Sequence, residues 1–99
     1  MAAYVIFIRD SLTDQAEMDA YAALAREARG DHAITPLVFY GAAEALEGPP
    51  VDGVVIVQFP DMQAAHAWYD SPAYQAAKAH RLKGADYRVI LADGLPSAG

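Results

Sequence analysis

Two short runs constrain this chain more than anything else in it. Tyr4-Val5-Ile6-Phe7-Ile8 and Val54-Val55-Ile56-Val57-Gln58-Phe59 are β-branched or aromatic at nearly every position, which is the composition of strands. Successive side chains of a strand point to opposite faces. Tyr4, Ile6 and Ile8 therefore point one way, and Val5 and Phe7 the other. Val54 and Ile56 divide in the same manner from Val55, Val57 and Phe59. Both faces of both strands are apolar, so each strand needs cover on two sides.

The remaining elements follow from local chemistry. Asp14 opens a helix, with Glu17 three residues on in the pattern of a capping box. Met18, Tyr21, Ala25 and Ala28 recur at helical spacing and form one apolar stripe. Arg26 and Arg29 suit the negative end of the helix dipole, and Gly30 suits the stop. Ile34 to Tyr40 reads as the second strand. Pro36 cannot donate to a ladder, so that strand either lies at an edge or begins after the proline. A long connection from Gly41 to Gly53 leads into the third strand. Asp61 then caps a helix whose stripe is Met62, Ala65, Trp68 and Tyr69. Ser71 and Pro72 interrupt it: Ser71 caps, and Pro72 begins, a second piece that runs to Lys83 and stops at Gly84. Tyr87 to Ala92 is the last strand. Residues 1–94 read as one domain, and residues 95–99 as a flexible tail.

The order β-α-β-β-α-β with right-handed crossovers gives an α+β, ferredoxin-like fold. Its sheet has four antiparallel strands, both helices lie on one face, and the first and third strands are central. The helices cover one face only. Each large apolar side chain left bare on the other forfeits ~1.5–3 kcal/mol of burial, and monomers rarely expose such a patch. A second copy packed sheet to sheet is the simplest cover. The expectation is a homodimer through the apolar sheet face.

Composition excludes several partners. Seven Lys and Arg face thirteen Asp and Glu, for a net charge of −6, which disfavours nucleic acid and anionic membranes. No run approaches the ~18 apolar residues of a membrane span. Met1 to Ile8 is halted by Arg9 and Asp10 and lacks the basic start of a signal peptide. Cysteine is absent, which removes disulfides, thiolate metal sites and a Cys nucleophile, and fits a cytoplasmic protein. There is no G-x-G-x-x-G, P-loop or G-x-S-x-G, so cofactor-free chemistry is the expectation.

The residues able to carry chemistry are few. His32, His66 and His80 share no metal-ligand spacing, and no metal is expected. Histidine titrates near neutrality, so His66, on the Trp68 helix, and His32, before the second strand, are candidate acids or bases. Each reads more readily as a surface or helix-face residue. Tyr40, Glu44 and Glu47 lie in or before the long connection. Such loops are often functional, and a carboxylate there could take a proton beside a carbonyl; the bland reading is a solvated loop. Trp68, Tyr69, Tyr74 and Tyr21 are aromatic core, or line a pocket in which a buried hydroxyl orients a ligand. Arg88 and Arg9, on strands, need anionic partners: a ligand, or strand-end acids such as Asp10, Asp86 and Asp93. The candidate catalytic set is thus His32, Tyr40, Glu44 and His66. The candidate ligand contacts are Trp68, Tyr69, Tyr74 and Arg88.

Phe59-Pro60, Ala64-Ala65, Trp68-Tyr69 and Ser71-Pro72-Ala73-Tyr74-Gln75 together resemble the DUF1330 family. The Leu46-Glu47-Gly48 loop and the opening Ala3-Tyr4-Val5-Ile6 extend the resemblance from about Ala3 to Gly94. It implies a dimeric α+β barrel. Similar barrels include small monooxygenases, lactone isomerases and haem-degrading enzymes, but a fold does not carry a function. Two departures stand out: Asp52-Gly53 replaces a basic pair, and Phe39-Tyr40-Gly41 replaces an Arg-Gly-Gly-like segment. The functional expectation is a cofactor-free enzyme of isomerase or monooxygenase type acting on a small apolar or aromatic carbonyl compound. Its alternatives are a non-catalytic dimer that binds a small ligand or serves in stress, and a purely structural dimer.

Overall fold

The computed structural model describes residues 1–96. Its elements are β1 (Ala3–Leu12), α1 (Gln15–Ala28), β2 (Thr35–Phe39), β3 (Gly53–Phe59), α2 (Met62–Tyr69), α3 (Pro72–Gly84) and β4 (Ala85–Asp93). The strands form one antiparallel sheet in the order β2-β3-β1-β4. The two apolar runs are therefore the central strands, and the fold is the α+β ferredoxin-like arrangement. Ser97 to Gly99, most of the expected flexible tail, lie outside the described residues.

β1 and β4 are longer than their apolar patterns. β1 continues through the polar Arg9, Asp10 and Ser11 to Leu12, which pairs with Ala85 after a register shift between Arg9 and Ser11. Backbone pairing extends the strands here, helped by the Ser11 hydroxyl donating to Asp86 at 2.8 Å. β2 is an edge strand, and its register with β3 shifts between Pro36 and Val38, next to the residue that cannot donate.

Capping sets the helices. The Asp14 carboxylate accepts from the backbone N–H groups of Ala16 and Glu17. The reciprocal half of the capping box is absent. Glu17 instead meets His80 Nδ1 at 2.7 Å, tying α1 to α3. The Asp14 N–H donates to the Gly84 carbonyl at 2.9 Å. That approach needs glycine: a Cβ on residue 84 would lie 2.9 Å from Met18 Cγ and 3.0 Å from the Asp14 carbonyl oxygen. Ser71 separates α2 from α3, accepting from the Tyr74 N–H at 3.2 Å and donating to the Trp68 carbonyl at 2.7 Å.

The core lies between the sheet and its helices. Ala3, Val5, Phe7, Val55 and Phe59 meet Ala28, Ala65, Trp68, Tyr74 and Ala77 there. The opposite face carries Tyr4, Ile6, Ile8, Val54 and Ile56, all half-buried by their neighbours alone, and Ile90, 46% exposed. No described helix is long and apolar enough to cross a membrane.

Candidate functional site

A cavity of about 510 Å³ opens between α1 and the β2–β3 side of the sheet. Phe7, Val55 and Val57 form its floor, and Met18, Tyr21, Ala22 and Ala25 its roof. Ile34, Pro36, Phe39 and Tyr40 close the β2 side. The lining is mainly apolar, with a few polar groups, the usual form of a small-molecule pocket.

Tyr40 is placed by the backbone. It leaves β2 with φ +55°, the left-handed region that a bulky residue seldom occupies. Its N–H donates to the Val54 carbonyl at 2.9 Å, which turns the ring back over β3. The ring then lies on Gly53, where a Cβ would stand 2.7 Å from Tyr40 Cδ1. Gly53 thus makes room for this tyrosine. Arg9 flanks it: the guanidinium carbon is 4.8 Å from the Tyr40 ring centroid, and Nε donates to Asp52 at 2.7 Å. The Asp52 N–H in turn donates to the Arg9 carbonyl, fixing the end of the long connection.

Hydroxyl pairs run behind the wall. Tyr40 hydrogen-bonds Tyr87 on β4, and Tyr21 hydrogen-bonds Tyr74 on α3 at 2.8 Å. Burial pushes the hydroxyl pKa of Tyr21, Tyr40 and Tyr74 above the ordinary tyrosine value, because a phenolate is poorly solvated there. These groups are neutral donors and acceptors at physiological pH. The charged residues of the wall are Arg9, Arg26, Arg29 and one carboxylate, Asp19. Asp19 sits at the exposed mouth and accepts from Gln15 Nε2 at 2.8 Å.

Arg81 lies deeper still. The residue is 3% exposed. Its guanidinium carbon is 5.7 Å from the Phe7 ring, 5.9 Å from Tyr21 and 5.4 Å from Tyr87. Its Nε has no hydrogen-bond partner, and it forms no ion pair with a described carboxylate. Sequence reasoning passed over it. The signal was its place in the series Tyr74, Ala77, Arg81, Gly84, which follows the spacing of a buried helical stripe. Tyr87 was counted only as strand.

Of the residues singled out in the sequence, Tyr40 lines the cavity, together with Tyr21 and Arg9. Tyr74 is fully buried and reaches the site through Tyr21. Trp68 is packed against Tyr74 and Phe59, 4.2 and 5.3 Å between centroids, with Nε1 unpartnered; nothing in the structure explains that orphan donor. Tyr69 lies half-buried beside Trp68, with Lys78 over its ring. His66 is exposed on α2, 4.0 Å from Asp70 and outside the main cavity's lining; with Tyr69 it lines a smaller hollow of about 230 Å³. His32 is half-buried outside the lining, and Glu44 and Glu47 lie in the exposed connection. Arg88 pairs with Asp10 through two bonds of 3.1 Å. Among the described residues no three His, Cys, Asp or Glu side chains are grouped to hold a metal.

A family model described as a domain of unknown function, DUF1330, matches residues 2–95. No curated protein matches the sequence. Among solved structures, a protein of unknown function from Rhodopseudomonas palustris is similar with a TM-score of 0.76 and 20% identity, over 96% of this chain and 83% of that one. A dimeric protein of unknown function and ferredoxin-like fold from Bacteroides fragilis has a TM-score of 0.66 and 11% identity, over 94% and 96%. SnoaB, a cofactor-independent oxygenase from Streptomyces nogalater, has a TM-score of 0.59 and 11% identity, over 98% and 95%. At these identities the likeness is one of fold.

Proposed function

The chain belongs to the DUF1330 family, and from that premise we propose that it is a cytoplasmic homodimer that binds a small apolar or aromatic carbonyl compound under α1 and promotes its enolisation without a cofactor. The observation that carries this reading is the convergence of Tyr40, Tyr21 and Arg9 on one apolar cavity. The ring or chain of the ligand lies on Phe7, Val55 and Val57. Its carbonyl oxygen accepts from Arg9 or from the hydroxyl of Tyr40, groups that gain most when charge develops on that oxygen. Asp19 is the one carboxylate in the wall and serves as the base that takes the adjacent proton. An enolate so formed suits either return of the proton elsewhere, an isomerisation, or attack on oxygen. The cofactor-independent oxygenase among the structural neighbours supports the second as chemistry this fold can host.

A second reading is binding without turnover. It is favoured by the position of Asp19, at the solvated mouth and already engaged by Gln15, and by the absence of His32, Glu44 and His66 from the lining. Deuterium exchange separates the two. An aryl ketone such as 1-acetylnaphthalene, incubated with the protein in D2O, is expected to lose its methyl protons faster than in buffer. Asp19→Asn should slow that exchange about 100-fold while leaving affinity within a factor of two. Binding without accelerated exchange selects the non-catalytic reading, and failure of the ketone to bind argues against both.

A further inference from the structure

The chain carries a net charge of −6, with seven Lys and Arg in all. Three of those seven, Arg9, Arg26 and Arg29, line one cavity, against a single acid there. A fourth, Arg81, is buried behind the Phe7 and Tyr21 rings that form its wall. Arg9 is balanced by Asp52. Arg81 has no such balance: 3% exposed, Nε unpartnered, and without a described carboxylate in ion-pair range. Aromatic faces offset only part of the cost of holding a cation out of water. Tyr74 and Tyr21, the hydroxyls that act on it, are neutral. A buried cation without an acid is costly, and what relieves it is a negative charge arriving nearby.

We infer that the pocket recognises its ligand as an anion, an apolar or aromatic carboxylate or a stable enolate, and that Arg81 is the positioning residue that sets this preference. The inference rests on the pocket reading above and names its ligand class. Arg81 acts from behind the wall. Arginine is a donor only, so a Tyr74 oxygen turned towards it leaves the Tyr74 proton for Tyr21, and the Tyr21 proton for the ligand oxygen. The positive charge and the hydroxyl pair thus both favour a negative oxygen at the Tyr21 side of the cavity. Across a low-dielectric wall, one unit charge should discriminate an anion from its neutral isostere by about tenfold or more.

The probes are 1-naphthoate and 1-naphthamide, alike in shape and differing in charge. Isothermal titration calorimetry of the wild-type protein at pH 7 is expected to give naphthoate at least tenfold tighter binding. Arg81→Met, which keeps the apolar length and removes the charge, should bring the two affinities within a factor of two. Arg81→Lys, which restores a cation, should recover most of the preference. The wild-type comparison holds whether or not either variant folds. Equal binding of the two probes to the wild type overturns this inference and leaves the pocket reading standing. So does a preference that survives Arg81→Met in a folded protein. Binding of neither probe overturns both.

Discussion

A buried arginine without an acid is an unusual choice for a chain this rich in carboxylates, and its consequence for stability is opposite to that of most core residues. Removing one partner of a buried pair leaves a charge stranded, whereas removing a buried charge that has no acid beside it relieves a desolvation cost that Tyr74 and the aromatic faces only partly offset. Arg81→Met is therefore expected to raise the melting temperature of the ligand-free protein, and a drop of several degrees would show that Arg81 is satisfied in solution. The neighbouring tyrosines make a second expectation. Burial favours the neutral form of Tyr21, Tyr40 and Tyr74 in the folded state. The unfolded chain gives up those protons near the ordinary value of 10.0, while the native chain keeps them. Their contribution to stability is thus full below about pH 10 and is lost as pH rises beyond it. In an absorbance titration, at least three of the six tyrosines should ionise only together with the alkaline loss of circular dichroism. Ionisation of all six before any unfolding would contradict the burial argument. Gly53 belongs to the same scale. Gly53→Ala forces the Tyr40 ring off β3, at a cost of about 1–3 kcal/mol, and should weaken ligand binding in parallel.

Elements were the most legible part of the chain, because their signals are local. Asp14, Asp61 and Ser71 each cap a helix with the side-chain bond their chemistry offers. Ser71 does most, since it both ends α2 and begins α3. Ser71→Ala should cost about 1 kcal/mol, read as a lower urea midpoint with an unchanged slope. A changed slope would mean that the helix break itself has moved. The errors at this scale share a cause. Glu17 was assigned to its own helix start but serves His80 on α3, and the polar end of β1 was read as a connection but is held in the sheet by β4. In both cases a long-range partner outbids the local one.

The sheet carries a bare apolar face across the whole molecule. Tyr4, Ile6, Ile8, Val54, Ile56 and Ile90 share it, and no described helix lies over it. Covering this patch buries the exposed remainder of six large side chains, a gain that favours the association of two copies. Light scattering at micromolar concentration should give twice the chain mass of 10.6 kDa. Ile90→Asp, at a position 46% exposed in the single chain, should give the monomer mass with the secondary structure retained. A wild-type mass of one chain would sink the dimer.

The central strands, the starts and breaks of the helices, and the face left apolar were all legible in the chain alone. Those follow from periodicity, capping chemistry and the scarcity of cover, all of which are short-range or additive. The site exists only in three dimensions. The cavity is built from Phe7 and Arg9 on β1, Tyr21 on α1 and Tyr40 just after β2, and its hidden charge comes from Arg81 on α3. The stripe Tyr74, Ala77, Arg81 and Gly84 is the one local sign of the arginine's burial, and it is a faint one, because Ala77 and Gly84 are too small to mark a buried face by themselves. Its burial exists only once α3 is laid against β1 and α1, where the surrounding rings close over it.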